Sequence, residues 1–194
     1  MARYLGRHLM VKGSYVDSIL EGRKRTTIRL GIVKPKYNEI IIHGGGKPVA
    51  KARITRVVYK KVSELTDRDA RLDGFRNKGE LLDELKKHYP GLREDDTITI
   101  IEFEVIQRLD NLEAHHPYMG LKPPDLARLA LRYLRDLSED ERRVLLDLTR
   151  TGSIRLTAIR LYGNLDARWR VRKVLKRALK RLLEQGLLGS RKER

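Results

Sequence analysis

Gly22-Arg23-Lys24-Arg25-Thr26-Thr27-Ile28-Arg29-Leu30-Gly31 sets four cations and two adjacent hydroxyls between two glycines. Just before it, His8-Leu9-Met10-Val11-Lys12 is a short apolar run closed by Gly13, the pattern of a strand. Ser14 can N-cap a helix running to Glu21, with Tyr15, Ile19 and Leu20 on its apolar side and Gly22 placed to end it. The β-branched Thr26, Thr27 and Ile28 then favour an extended chain. On a strand, Arg25, Thr27 and Arg29 share one face and Thr26 and Ile28 the other. Such a basic entry to a strand either lies on a solvated edge or faces an anionic ligand.

Working outward, Lys34-Pro35-Lys36-Tyr37 reads as a loop and Glu39-Ile40-Ile41-Ile42-His43 as a buried strand. Gly44-Gly45-Gly46 reads as a turn, because it lacks the spacing and the Lys-Ser/Thr ending of a phosphate-binding loop. Val49 to Val62 alternates as a long strand, and Thr97 to Ile106 as a last one. Between them, Ser63 to Leu72 and Lys78 to His88 read as helices joined by Asp73-Gly74-Phe75-Arg76-Asn77, with a turn at Pro90-Gly91. The connections are too short for a doubly wound parallel sheet. The expected fold is therefore α+β: a small, largely antiparallel barrel or curled sheet with helices plugging its ends and a cleft at its mouth.

The 194 residues are 40% hydrophobic and 36% charged, and no apolar run approaches a bilayer span. The first residues lack a secretory signal, so a cytoplasmic location is expected, with no membrane partner. Absence of cysteine excludes disulfides, thiolate zinc sites and cysteine nucleophiles; no metal and no cofactor is expected. Scarce Asn and Gln beside abundant ionic residues resemble the composition of hyperthermophile proteins, pointing to an archaeal source. A net charge of +17 favours a polyanionic partner, nucleic acid before others. Both halves of the chain are basic, so both are expected to meet it; the alternative is a bias for solubility or thermostability.

Residues 111–124 are irregular, with His115-His116-Pro117 and Lys122-Pro123-Pro124, and read as a linker in which the histidines lack further metal ligands. Asp125 to Leu134 reads as a helix, and Ser138-Glu139-Asp140-Glu141 as the capping box of a second, ending near Thr149. Ser153 to Tyr162 gives a third. The fourth, from near Asp166 to Gly186, buries Val171, Val174, Leu175, Ala178, Leu182 and Leu183. Its other faces hold Arg168, Arg172, Lys173, Lys176, Arg177, Lys180 and Arg181 without neutralising acids, which favours phosphate contact with little base reading. Trp169 is expected as a core anchor rather than a stacking platform. Two helices, a turn and a long basic helix resemble a helix-turn-helix or winged-helix domain with a stunted wing.

Gly22-x-Lys24-x-x-Thr27-x-Arg29, after a strand and a short helix and followed by Asp73-Gly74-Phe75, resembles the ASCH domain, the RNA-associated relative of the PUA fold. The resemblance covers about residues 8 to 108 and implies a PUA-like mixed β-barrel with helices. Most members carry Glu where this chain has Thr27, and the Thr variant is similar to small bacterial acetylcytidine amidohydrolases. That resemblance implies Lys24, Thr27 and, with Asp in place of the family's Glu, Asp73 as catalytic residues; Glu80 is the competing carboxylate. A threonine hydroxyl needs a base to become nucleophilic, and a lysine serves only if burial or nearby cations such as Arg23, Arg25 and Arg29 lower its pKa. Lys24 and Thr27 converge only if Lys24 lies in the turn before the strand, since positions three apart on a strand face opposite ways.

The expected organisation is an ASCH or PUA-like domain over 1–110, a linker over 111–124 and an all-α helix-turn-helix-like domain over 125–194. The expected function is nucleic-acid binding, RNA before DNA, through Arg23, Lys24, Arg25 and Arg29 in the first domain. Arg168, Arg172, Lys173, Lys176, Arg177 and Lys180 would serve it in the second. The alternatives are a hydrolase acting on a modified nucleoside such as acetylcytidine, a ribonuclease, or a module that docks on an acidic protein.

Overall fold

Strands form where β-branched residues cluster, and glycines set their turns. The computed structural model describes residues 3–112 and 116–189, and the chain divides into two units, Met1–Leu109 and Asp110–Arg194. In order, the first holds β1 (Arg3–Leu5), β2 (His8–Val11), α1 (Val16–Leu20), β3 (Thr26–Leu30), β4 (Val33–Pro35), β5 (Glu39–Gly44), β6 (Lys47–Lys61), α2 (Asp67–Leu72), α3 (Lys78–His88) and β7 (Thr97–Arg108).

Five strands form one sheet in the order β2-β5-β6-β7-β3. The pairs β5–β6, β6–β7 and β3–β7 are antiparallel, while β2–β5 is parallel, so the sheet is mixed. Register shifts at Ile42/His43, Lys51/Ala52 and Ile54/Arg56 bend the long strands, as extra residues in one strand of a pair do. The result is a curled half-barrel that leaves β2 and β3 as edges. The β5–β6 hairpin turns on Gly45 and Gly46, whose φ values of +58° and +79° suit the left-handed positions of a tight hairpin turn.

Some local expectations change. The segment expected as a helix from Ser14 opens instead as a 3-10 turn, Gly13–Tyr15, and α1 follows without a side-chain cap. Lys34 and Pro35, expected in a loop, belong to β4, which pairs parallel with β1. Ser63 and Glu64 lie in a second 3-10 turn, and α2 starts after Thr66, whose hydroxyl accepts from the Asp69 N–H. Two apolar clusters result. Leu9, Ile19, Ile40, Ile42, Ala52 and Phe103 fill the curl behind α1. Ile28, Val62, Leu65, Ala70, Leu81, Leu85, Ile98 and Ile100 seat α2 and α3 against β3 and β7.

The second unit contains α4 (Pro123–Tyr133), α5 (Glu139–Thr151), α6 (Ile154–Tyr162) and α7 (Arg168–Glu184). Ser138 and Glu141 make the reciprocal capping box at the start of α5. Ser153 caps α6, and Gly152 and Gly163, at φ +67° and +76°, end α5 and α6. Before α4, Pro117–Gly120 makes a 3-10 turn that buries Met119, and the Leu112 N–H donates to the Gly189 carbonyl, 2.9 Å. Residues expected beyond Gly189, including any wing, lie outside the described ones, as does His115; His116 is exposed.

Candidate ligand cavity

The placement of Lys24 begins with the turn that ends α1. Gly22 takes φ +72°, and the backbone N–H groups of Arg23 and Lys24 both donate to the Ser18 carbonyl, at 2.8 and 2.9 Å. Lys24 thus lies in the turn, ahead of the strand that starts at Thr26. That is the condition under which its side chain and Thr27 can meet, and both line one cavity of about 300 Å³.

Lys24 is only 4% exposed and Asp73 5%. Asp73 stands at the C-terminal end of α2. The Lys24 Nζ lies 2.7 Å from Asp73 Oδ2 and donates to the Asp73 main-chain carbonyl at 2.7 Å. The other carboxylate oxygen, Oδ1, accepts from the Thr26 hydroxyl at 2.9 Å. Two of the three ammonium hydrogens are therefore taken by Asp73, and the third has no acceptor among the described residues. The rings of Tyr15 and Phe75 stand 4.7 and 5.8 Å from the same nitrogen, within the range of cation–π attraction.

Burial pushes Lys24 below the usual lysine range, and Asp73 opposes that by favouring the charged amine. Burial likewise pushes Asp73 above the usual carboxylate range, against Lys24 and Thr26. Each group is shifted toward its neutral form, so a proton can rest on either partner at less cost than in water. Tyr15 is pushed up to about 12 by burial and by Glu84, whose carboxylate accepts its hydroxyl at 3.1 Å.

Gly74 follows Asp73 at φ +90°, and a Cβ there would come within 3.3 Å of Lys24 Cβ. Gly74→Ala combines a left-handed backbone with crowding against the buried amine. It is expected to destabilise the protein by about 1–2 kcal/mol, read as a lower urea midpoint; an unchanged midpoint would contradict the packing of Gly74 on Lys24.

The four cations of the basic stretch part company. Lys24 and Arg29 reach the cavity, and Arg29 Nη2 donates to the Met10 carbonyl at 3.2 Å. Arg23 turns back to pair with Glu21, and the Arg25 Nε donates to the Gly22 carbonyl at 2.7 Å. Both are exposed, so Arg29 is the arginine that acts on Lys24. Glu80 is away from the cavity: it pairs with Arg76 and accepts the Arg76 N–H. The Thr27 hydroxyl makes no hydrogen bond to a described residue, whereas Thr26 holds Asp73. Sequence reasoning missed Thr26, Tyr15, Phe75, Glu84 and Tyr89 as surroundings of the site. Only Phe75 carried a signal, through its place in Asp73-Gly74-Phe75.

On α7, Arg168, Arg172, Lys173, Lys176, Arg177 and Lys180 are all exposed. Lys180 pairs with Glu184 at 3.7 Å; the other five, and Arg170 with them, make no ion pair to a described residue. Trp169 is 57% exposed, which corrects its expected role as a core anchor. The buried stripe is Val171, Val174, Leu175, Ala178 and Leu182, and position 169 falls outside it. Among the described residues no cluster of three His, Asp or Glu could hold a metal, and no helix is long and apolar enough to cross a membrane.

A family model described as ASCH domain matches residues 3–107. No curated protein matches the chain. Among solved structures, an ASCH domain from Lactobacillus crispatus is similar at 19% identity, over 54% of this chain and 80% of that one, with a TM-score of 0.45. An ASCH protein from Zymomonas mobilis is 17% identical over 53% of this chain and 69% of its own, with a TM-score of 0.43. A protein of Enterococcus faecalis is 19% identical over 50% and 69%, with a TM-score of 0.42.

Proposed function

This chain belongs to the ASCH domain family, and on that premise we propose that it binds RNA and receives one nucleoside of it in the Lys24–Asp73 cavity. ASCH domains have a PUA-like fold and commonly bind RNA. One observation carries the reading: the Lys24 ammonium, with one hydrogen left without an acceptor among the described residues, and the Thr27 hydroxyl, which bonds to none of them, stand among the rings of Tyr15, Phe75 and Tyr89 in a space of about 300 Å³. That volume is at the low end for ligand pockets. Aromatic faces suit a planar base, and the two polar groups suit its exocyclic carbonyl and amine. In this reading the exposed cations of α7 hold phosphates, and the second domain serves as a helix-turn-helix-like module.

The test is binding of a labelled single-stranded RNA to wild type and to Phe75→Ala and Thr27→Val. Loss of one stacking face is expected to weaken binding about tenfold or more, and loss of the hydroxyl several-fold. Equal affinities in all three proteins would remove the cavity from the interface.

A second reading, hydrolysis of an amide on a modified nucleoside such as acetylcytidine, is favoured by Lys24, Thr27 and Asp73 lining the same cavity. Passage of the Lys24 proton to Asp73 would leave a neutral amine able to take the Thr27 proton as its oxygen attacks the acyl carbon. Wild-type turnover of acetylcytidine, abolished in Thr27→Ala and Lys24→Met and retained in part by Thr27→Ser, is the expected pattern. No release of acetate by the wild type would leave binding alone.

A further inference from the structure

The sole tryptophan of the chain is exposed in the first turn of α7, with cations against its ring and one carboxylate, Asp166, on the same groove. The Arg170 guanidinium lies 5.5 Å from the Trp169 ring and 5.0 Å from the Tyr162 ring, and Lys173 Nζ lies 5.9 Å from Trp169. A groove of about 220 Å³ runs beside these rings and is lined also by Asn164, Asp166 and Ala167. An indole left in water forgoes the burial that makes tryptophan worth having. Here the fold does not need it, since the apolar stripe of α7 is complete without it.

An exposed aromatic ring set among cations with no ion pair to a described residue has the composition of a surface for single-stranded nucleic acid. Phosphates take the charges, and an unpaired base offers a face for stacking. A duplex would use the cations but hide its base faces inside the stack. A lipid surface would need a continuous apolar face, and that of α7 is turned into the core.

We propose that Trp169, Tyr162 and Arg170 form a stacking site for an unpaired base of single-stranded RNA, with Arg172 and Lys173 holding the adjacent phosphates. This rests on the RNA-binding reading and adds a preference for unpaired RNA located in the second domain. It also predicts that the site works through a ring face and is therefore tolerant of sequence.

Because the chain has one tryptophan, it carries its own reporter. Its emission is followed while a single-stranded oligouridylate of about 12 nucleotides or a blunt-ended RNA duplex is added. Quenching by the single strand is expected. Trp169→Ala should weaken single-strand binding about tenfold, Trp169→Phe should weaken it less, and the duplex's affinity and the salt dependence should stay unchanged. Single-strand binding with undisturbed emission, or with equal affinity in Trp169→Ala, would overturn the stacking site while leaving the RNA reading intact. No binding of either RNA by the wild type at low salt would overturn both. A response to anionic phospholipid vesicles without one to RNA would assign the indole to a membrane surface and overturn the proposal.

Discussion

Asp73→Ala is expected to destabilise the first domain by about 3–5 kcal/mol, the largest single-site effect on folding in this protein. The substitution leaves Lys24 inside the cavity with the main-chain carbonyl of residue 73 as its only oxygen partner among the described residues, and it strips the Thr26 hydroxyl of its acceptor. A whole domain is held by about 5–15 kcal/mol, so a substantial unfolded fraction should appear at physiological temperature. Joint replacement, Lys24→Met with Asp73→Leu, removes both charges and should recover most of the loss. If Asp73→Ala unfolds at the wild-type urea concentration, the pair contributes nothing and the buried geometry is wrong.

The same pair yields a pH dependence with a definite sign. Lys24→Met takes away the cation that opposes the upward push of burial on Asp73. A carboxyl whose folded pKa is raised binds its proton more tightly in the native state. Its stability is therefore present below the unfolded value of about 3.9 and is lost as pH climbs through the folded pKa. Relative to wild type, Lys24→Met should be less destabilised at about pH 4 than at about pH 7. The opposite trend would mean that Asp73 finds another cation.

The elements legible in the sequence were those with strong local signals. The alternation over β6 and β7, the Ser138 capping box and the apolar stripe of α7 each follow from period or cap chemistry acting within a few residues. The parallel β2–β5 pair and the short β1–β4 ribbon depend on contacts about thirty residues apart and leave no local trace. The site shows the same division. That Lys24 belongs to a turn could be stated as a condition from spacing alone, but the choice of Asp73 over Glu80 depends on how α2 docks on β3. Thr26 and Thr27 are indistinguishable by composition; the pleat sends one to the carboxylate and the other to the cavity. Trp169 was misassigned because large aromatics usually enter cores, whereas its offset of two from Val171 places it on the opposite face of α7.

Neutralising part of that outer face should have the largest effect on binding. Arg168, Arg170, Arg172, Lys173, Lys176 and Arg177 have no anionic partner among the described residues, so their charge is available to phosphates. If all six engage a single strand, the logarithm of affinity should fall with the logarithm of salt at a slope of about −4. Arg172→Gln, Lys176→Gln and Arg177→Gln together should reduce the slope by about 2 and weaken binding about a hundredfold at moderate salt. Folding should be unaffected, because these side chains are exposed and the buried stripe is untouched. The salt titration also separates charge from stacking. Loss of cations changes the slope, whereas loss of Trp169 should lower affinity by the same factor at every salt concentration. A triple variant that keeps the wild-type slope would place the phosphate contacts elsewhere, and the exposed charge of α7 would then be a solvated face with no part in binding.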